Sequence, residues 1–289
     1  METTDLLKKV RYIEIKARGL SRNIFAGEYH SAFKGRGMAF SEVREYQYGD
    51  DLRDIDWNVT ARYNRPYVKI FEEERELTVM LMIDVSESLG FGSRKVLKRD
   101  MVAEIAATLA FSAMQNNDKI GVIFFTDKVE KFIPPKKGRK HILFIIREIL
   151  GFTPENSGTD LNMALRYMTN AIKKRCTAFL ISDFIDHGDY KKALQIANRK
   201  HDMVAIQVYD QLSTELFPVG LMKVRDPETG EERWINTSSR RVRESYQKWW
   251  LGLRNNMNYA FRQSGVESIS VSTESDYVKA LLQLFQQRK

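Results

Sequence analysis

Four short, uninterrupted apolar runs constrain this chain most: Leu77 to Asp84 (LTVMLMID), Ile120 to Thr126 (IGVIFFT), Ala178 to Asp183 (AFLISD) and Met203 to Tyr209 (MVAIQVY). Each is rich in β-formers and apolar at both alternating sets of positions, as expected of a strand buried on both faces of a sheet. Helical patterns separate them. In Lys95 to Asn117, the residues Val102, Ile105, Ala106, Leu109 and Ala113 form a stripe of 3.6-residue period. His141 to Leu150, Leu161 to Ile172 and Asp189 to Asn198 also read as helices. The alternation predicts an α/β fold, a mostly parallel central sheet with helices on both faces. It breaks once: Val122–Phe125, the turn Thr126-Asp127-Lys128 and Val129–Ile133 predict a hairpin with one antiparallel edge strand.

The flanks read differently. A helix is expected over Asp5–Ala17, followed by a polar stretch with glycines at 19, 27, 35 and 37. Then comes an acid- and arginine-rich run, Gly49 to Trp57, and an extended lead-in, Pro66 to Phe71. No flexible linker separates this segment from the first core strand. It is therefore expected to pack on the sheet domain, with Tyr46, Ile55 and Trp57 as buried anchors. After Tyr209, Val219–Val224 and Arg233–Asn236 flank the turn sequence Asp226-Pro227-Glu228-Thr229-Gly230, a predicted hairpin. A helix over Ser239–Ser264, a strand over Val266–Val271 and a helix over Tyr277–Phe285 follow. The expected organisation is 1–75, 76–210 and 211–289, the last completing the same unit as the second.

Composition narrows the class. With 289 residues, 43% of them hydrophobic, the chain can bury a sizeable core. The single cysteine, Cys176, excludes an internal disulfide and any Cys-based zinc site. No apolar run approaches the ~18–20 residues of a membrane span, and Met1 to Arg22 lacks a signal-type apolar stretch. A soluble, cytoplasmic protein is expected. Lys and Arg total 46 against 38 Asp and Glu, a net charge of +8. That surplus suits nucleic acid, an acidic partner, the inner membrane surface or simple solvation. No nucleic-acid-binding motif accompanies it, so nucleic acid is not the expected partner.

The residues that carry chemistry cluster after the predicted strands. Asp84-Val85-Ser86-Glu87-Ser88 directly follows the first buried run, and open parallel sheets bind ligands beyond the carboxyl ends of their strands. One carboxylate and two hydroxyls in one loop form a compact set of hard oxygen donors, suited to Mg²⁺. The same residues also suit helix capping, and this loop alone leaves both readings open. Two more loops at the same edge add donors: Thr159 in Ser157-Gly158-Thr159-Asp160-Leu161, and Asp183 in Ile181-Ser182-Asp183.

Together these loops resemble a von Willebrand factor A-type domain, whose metal-ion-dependent adhesion site combines a D-x-S-x-S loop, a threonine before a helix and an aspartate after a later strand. The matching residues are Asp84, Ser86, Ser88, Thr159 and Asp183, over roughly Leu77–Tyr209. The resemblance implies a bound divalent cation (Mg²⁺, or Mn²⁺ or Ca²⁺) whose open position takes an acidic residue of a protein partner. Upstream, Gly35-Arg36-Gly37-Met38-Ala39-Phe40, Arg44-Glu45-Tyr46, Gly49-Asp50-Asp51, Arg53, Ile55-Asp56-Trp57 and Ala61-Arg62 resemble the DUF58 family. Its usual pattern has Glu where Ala39 stands. DUF58 proteins carry this segment ahead of a von Willebrand A-like domain. Many are encoded beside MoxR-type AAA+ ATPases, which implies an adaptor or partner role. The expectation is a non-enzymatic, metal-dependent interaction module. The alternative is a Mg²⁺-dependent hydrolase using the same loops.

Other patterns are weaker. Asp50, Asp51, Asp54 and Asp56, interleaved with Arg44, Arg53, Arg62 and Arg65, read as ion pairs and caps or as a binding surface. There is no P-loop and no G-x-S-x-G elbow. The histidines, at 30, 141, 187 and 201, lack H-E-x-x-H spacing. His187-Gly188-Asp189 reads as a loop leading into a helix. Lys136 to His141 reads as a solvated helix entry or a contact for phosphate or an acidic partner. No small-molecule substrate is evident.

Overall fold

The computed structural model describes residues 3–21, 29, 38–73, 77–90, 97–186, 188–225 and 230–288. Gly27, His30, Gly35-Arg36-Gly37, His187 and the 226–229 turn, all singled out above, lie outside them. The chain forms two compact units, residues 1–33 with 77–289, and residues 34–76.

The first helix, α1 (Thr3–Leu20), belongs to the larger unit. It buries Val10, Ile13 and Ala17 on one face. Its charged residues reach neighbouring helices: Lys16 donates to Glu104 at 2.6 Å, Lys9 pairs with Asp100, and Glu14 accepts from Arg139 at 2.6 Å. The first 75 residues are thus shared between the two units.

The smaller unit is an antiparallel pair, β1 (Met38–Glu45) and β2 (Tyr67–Glu73), joined through a 3-10 turn at Leu52–Asp54 and the short helix α2 (Trp57–Tyr63). Its acids are occupied locally. Arg44 clamps Asp50 through two bonds of 2.8 and 2.7 Å, and this holds the Asp50 carboxyl below its usual range. Arg53 does the same to Asp51. Asp56 caps α2 by accepting from Asn58 N and Val59 N. Ion pairing and capping therefore account for Asp50, Asp51 and Asp56. Ile55 is buried, as expected, whereas Tyr46 is only half-buried. Trp57 corrects the expectation: it is 70% exposed. It opens a seven-residue helix none of whose residues is buried, so its ring has no core to enter.

The larger unit is built on a six-stranded sheet. In chain order its elements are β3 (Thr78–Asp84), α3 (Lys98–Gln115), β4 (Lys119–Phe125), β5 (Val129–Lys136), α4 (Arg139–Gly151), α5 (Leu161–Ala171), β6 (Thr177–Ser182), α6 (Lys191–Lys200) and β7 (Asp202–Tyr209). Then follow the β8 (Leu221–Arg225) and β9 (Glu232–Asn236) hairpin, α7 (Arg240–Ser264), β10 (Glu267–Ser272) and α8 (Tyr277–Gln287). The strand order is β10-β7-β6-β3-β4-β5. Every pairing is parallel except β4 with β5, the hairpin predicted at the edge.

The strand β3 shows why its sequence is apolar throughout. Val79, Leu81 and Ile83 face one core with α1, α3, α4 and α8; Met80 and Met82 face the other with α5, α6 and α7. Both layers are closed, so neither set of alternating positions reaches water. The chain runs outward from β3 through β4 and β5, then returns to place β6 on the opposite side of β3. Crossover direction reverses there, and a crevice forms at such a switch point beyond the carboxyl ends of the strands.

Candidate metal centre

The switch point sets the two carboxylates side by side. Asp84 ends β3, and Asp183 follows Ser182, the last residue of the adjacent β6; both are buried. The β3 backbone continues past its end, with Val85 N donating to Phe125 O at 2.9 Å. The chain then folds back over Asp84, whose Oδ1 accepts from Ser86 N at 3.0 Å, a turn typical of aspartate. A 3-10 turn at Glu87–Gly90 follows. The Ser86 and Ser88 hydroxyl oxygens lie 3.0 Å apart, both residues buried.

The other loops converge on this one. Glu87 N donates to Ser157 O at 3.3 Å, tying the 157–160 loop to the Asp84 loop. Asp160 caps α5 through Met163 N and is itself anchored by Asp160 N to Thr126 O. Between these fixed points stands Thr159, whose hydroxyl oxygen is buried without a hydrogen-bond partner among the described residues. From β6, Ser182 Oγ donates to Asp84 Oδ2 at 2.6 Å and accepts from Phe184 N at 2.9 Å. Phe184 has φ of 58°, a left-handed conformation rare for a phenylalanine; that turn leads the chain away from the site. Asp183 Oδ1 accepts from Ile185 N at 3.2 Å, and its Oδ2 accepts from Lys98 Nζ at 2.9 Å.

The electrostatics follow from this crowding. Burial, and next the charge of Asp183, push the Asp84 carboxyl up to about 7, although hydrogen bonds from Ser182 and Ser86 pull the other way. Two buried carboxylates and three hydroxyls, the Thr159 oxygen partnerless among the described residues, share one positive charge, the ammonium of Lys98 on Asp183. Hard oxygen donors of this kind fit a divalent cation such as Mg²⁺. Among the described residues there is no gathering of three or more His, Cys, Asp or Glu, as expected when hydroxyls supply half or more of the donors. The residues present fit such an ion: Asp84, Ser86, Ser88, Thr159 and Asp183 would hold it, directly or through water.

Ser182 and Lys98 were not among the sequence candidates. Ser182 precedes Asp183 in the same loop and is readable only once β6 lies beside β3. Lys98 stands in a basic helix start with Arg99 and gives no local sign of pointing inward. The acids after Asp183 serve the backbone: Asp186 accepts from Leu161 N at 2.9 Å and Gly188 N at 2.6 Å, and Asp189 from Lys191 N. A small groove lined by Asp183, Ile185, Gln207, Trp250, Arg254 and Met257 opens beside the site.

Strand order and the antiparallel edge hairpin define a von Willebrand A-like α/β domain. The chain belongs to the DUF58 family: the profile described as "Protein of unknown function DUF58" matches residues 42–254. The uncharacterized protein Rv1480 of Mycobacterium tuberculosis is 27% identical over 286 residues, covering 98% of this chain and 90% of that protein. Among solved structures, an aerotolerance-related membrane protein from Bacteroides fragilis aligns at 14% identity with a TM-score of 0.48, over 73% of this chain and 99% of that one. The SpRpn10 VWA domain aligns at 12% identity and a TM-score of 0.39, over 73% and 95%. Among the described residues, no helix is long and apolar enough to cross a membrane.

Proposed function

We propose that this protein is a non-enzymatic, metal-dependent interaction module. A divalent cation, Mg²⁺ in the first instance, would be held by Asp84, Ser86, Ser88, Thr159 and Asp183, and would bridge to an acidic side chain of a protein partner. The supporting observation is the buried Thr159 oxygen, partnerless among the described residues, in a loop tied to that of Asp84, with Asp183 beside Asp84. The cation supplies positive charge and an open coordination position. The residues themselves hold the geometry: Ser182 and Ser86 N orient Asp84, Ile185 N orients Asp183, and the Glu87–Ser157 bond fixes loop to loop.

The engagement of Asp186, the acid that follows Asp183, supports docking over hydrolysis. A hydrolase needs a base aimed at the substrate beside the metal, and Asp186 is occupied by two backbone N–H groups. The partner we propose is a MoxR-type AAA+ ATPase, following the DUF58 resemblance. The test is capture of that ATPase by the full chain with Mg²⁺ and with chelator. Loss of capture in chelator and in Asp84→Asn supports the reading. Capture that ignores both overturns it.

A further inference from the structure

Lys98 is the first residue of α3, and its side chain is 3% exposed, as is that of Asp183. Its Nζ donates to Asp183 Oδ2 at 2.9 Å, its one partner among the described residues. Two forces oppose an ammonium at this position. Burial removes its water, a large cost unless an opposite charge compensates. The first turn of a helix is also the positive end of the helix dipole, which disfavours a cation. Asp100, the acid in the same turn, is engaged by Lys9. The compensation for Lys98 comes from across the fold, from a residue 85 positions away.

The metal reading above gives this contact its meaning, and the inference rests on that reading. We propose that Lys98 is a tethered counter-cation: its ammonium stands in for part of the divalent ion's charge and must leave Asp183 Oδ2 before the ion can use that carboxylate. Formally, two carboxylates present a charge of −2 and the ammonium reduces it to −1. An ion entering while Lys98 stays would meet a like charge within a few ångströms in a poorly screened site. Metal binding is therefore an exchange of cations. In the metal-free protein Lys98 keeps Asp183 oriented. In the loaded protein a primary amine is released from burial. The exchange also sets the affinity, because every ion bound displaces an existing ion pair.

The experiment uses Mn²⁺ as the probe on the full chain, with free Mn²⁺ counted by electron paramagnetic resonance for wild type, Lys98→Met and Asp84→Asn. Lys98→Met is expected to bind Mn²⁺ at least tenfold more tightly than wild type, and to show a larger rise in melting temperature on adding it. Detectable binding only in Lys98→Met would support the proposal equally. A second measurement avoids the variant: in wild type, acetylation of Lys98 by a small amine reagent, read by mass spectrometry, should rise severalfold on saturation with Mn²⁺. Equal or weaker binding by Lys98→Met, or unchanged Lys98 acetylation at saturation, overturns the proposal. If Asp84→Asn still loses binding in that case, the metal reading stands and only the role of Lys98 falls. If no protein binds Mn²⁺, or Asp84→Asn binds like wild type, both fall.

Discussion

Asp84 is where burial and charge conflict most sharply. Its folded-state carboxyl is raised to about 7, mainly by burial and then by Asp183, while an unfolded aspartate titrates near ~3.9. The folded chain therefore binds the extra proton between those values. In chelator, this residue's contribution to stability is intact at about pH 4 and is lost as pH rises through about 7. Asp84→Asn removes the charge, so its stability relative to wild type should rise across that window, with a slope of at most ~1.4 kcal/mol per pH unit. Denaturant titrations at several pH values check this; a constant difference would contradict it. Cys176 and His201 pose the opposite case. Their side chains lie 3.3 Å apart, like a nucleophile and its base. Burial pushes the thiol up to about 12 and the imidazole down to about 4, so the pair is neutral. The native protein should resist thiol alkylation at neutral pH until it unfolds, in contrast to an activated cysteine.

At the scale of elements, close contact between β4 and β5 places a demand on one residue. A Cβ on Gly121 would lie 2.9 Å from Ile133 O, Met80 Sδ and Pro135 N, at a register shift between the two strands. Two of those contacts are backbone atoms, which cannot swing aside. Gly121→Ala should cost ~1–3 kcal/mol, read as a lower denaturation midpoint with Mn²⁺ affinity unchanged in the folded fraction. The helix α2 makes no comparable demand. Trp57→Ala should change stability by less than ~0.5 kcal/mol, as substitutions at exposed positions do. Truncating buried Ile55 should cost more, and a thermal melt of the two variants gives the order. The adjacent acids are already spent on arginines and caps, which is why this polar stretch holds a shape without a large apolar core.

Across the whole molecule, the larger unit is discontinuous in sequence: α1 precedes residues 34–76 and yet packs against α3 and α4. Removing residues 1–21 would uncover the partners of Val10, Ile13 and Ala17 and strand Glu104 and Asp100 without their lysines. At ~1.5–3 kcal/mol per large aliphatic side chain, the truncated protein should melt many degrees lower than full length. An unchanged melting temperature would show that α1 is dispensable. The site stands at the far end of this cooperation, because its loops are held by β3, β4, β6 and α5 together.

Much of this was local enough to read directly. The runs at 77–84, 120–126, 178–183 and 203–209 are strands within a residue or so of those limits, because burial on two faces leaves a continuous apolar text. The edge hairpin and the helices followed from turn residues and a 3.6-residue period. β1 and α2 were missed, since residues such as Glu42, Arg44 and Glu45 show no apolar run and α2 buries none of its seven residues. The proposed donors Asp84, Ser86, Ser88 and Asp183 were legible as types at strand ends, and Thr159 as one before a helix. What the sequence could not express was contact between distant residues. That Ser182 steadies Asp84, that Lys98 lies buried on Asp183, that Trp57 stays in water and that α1 joins the sheet were decided only when the chain closed. The physical reason is the same in each case: the cost of burying a polar or charged group depends on its neighbours, and those neighbours lie as many as 125 positions away.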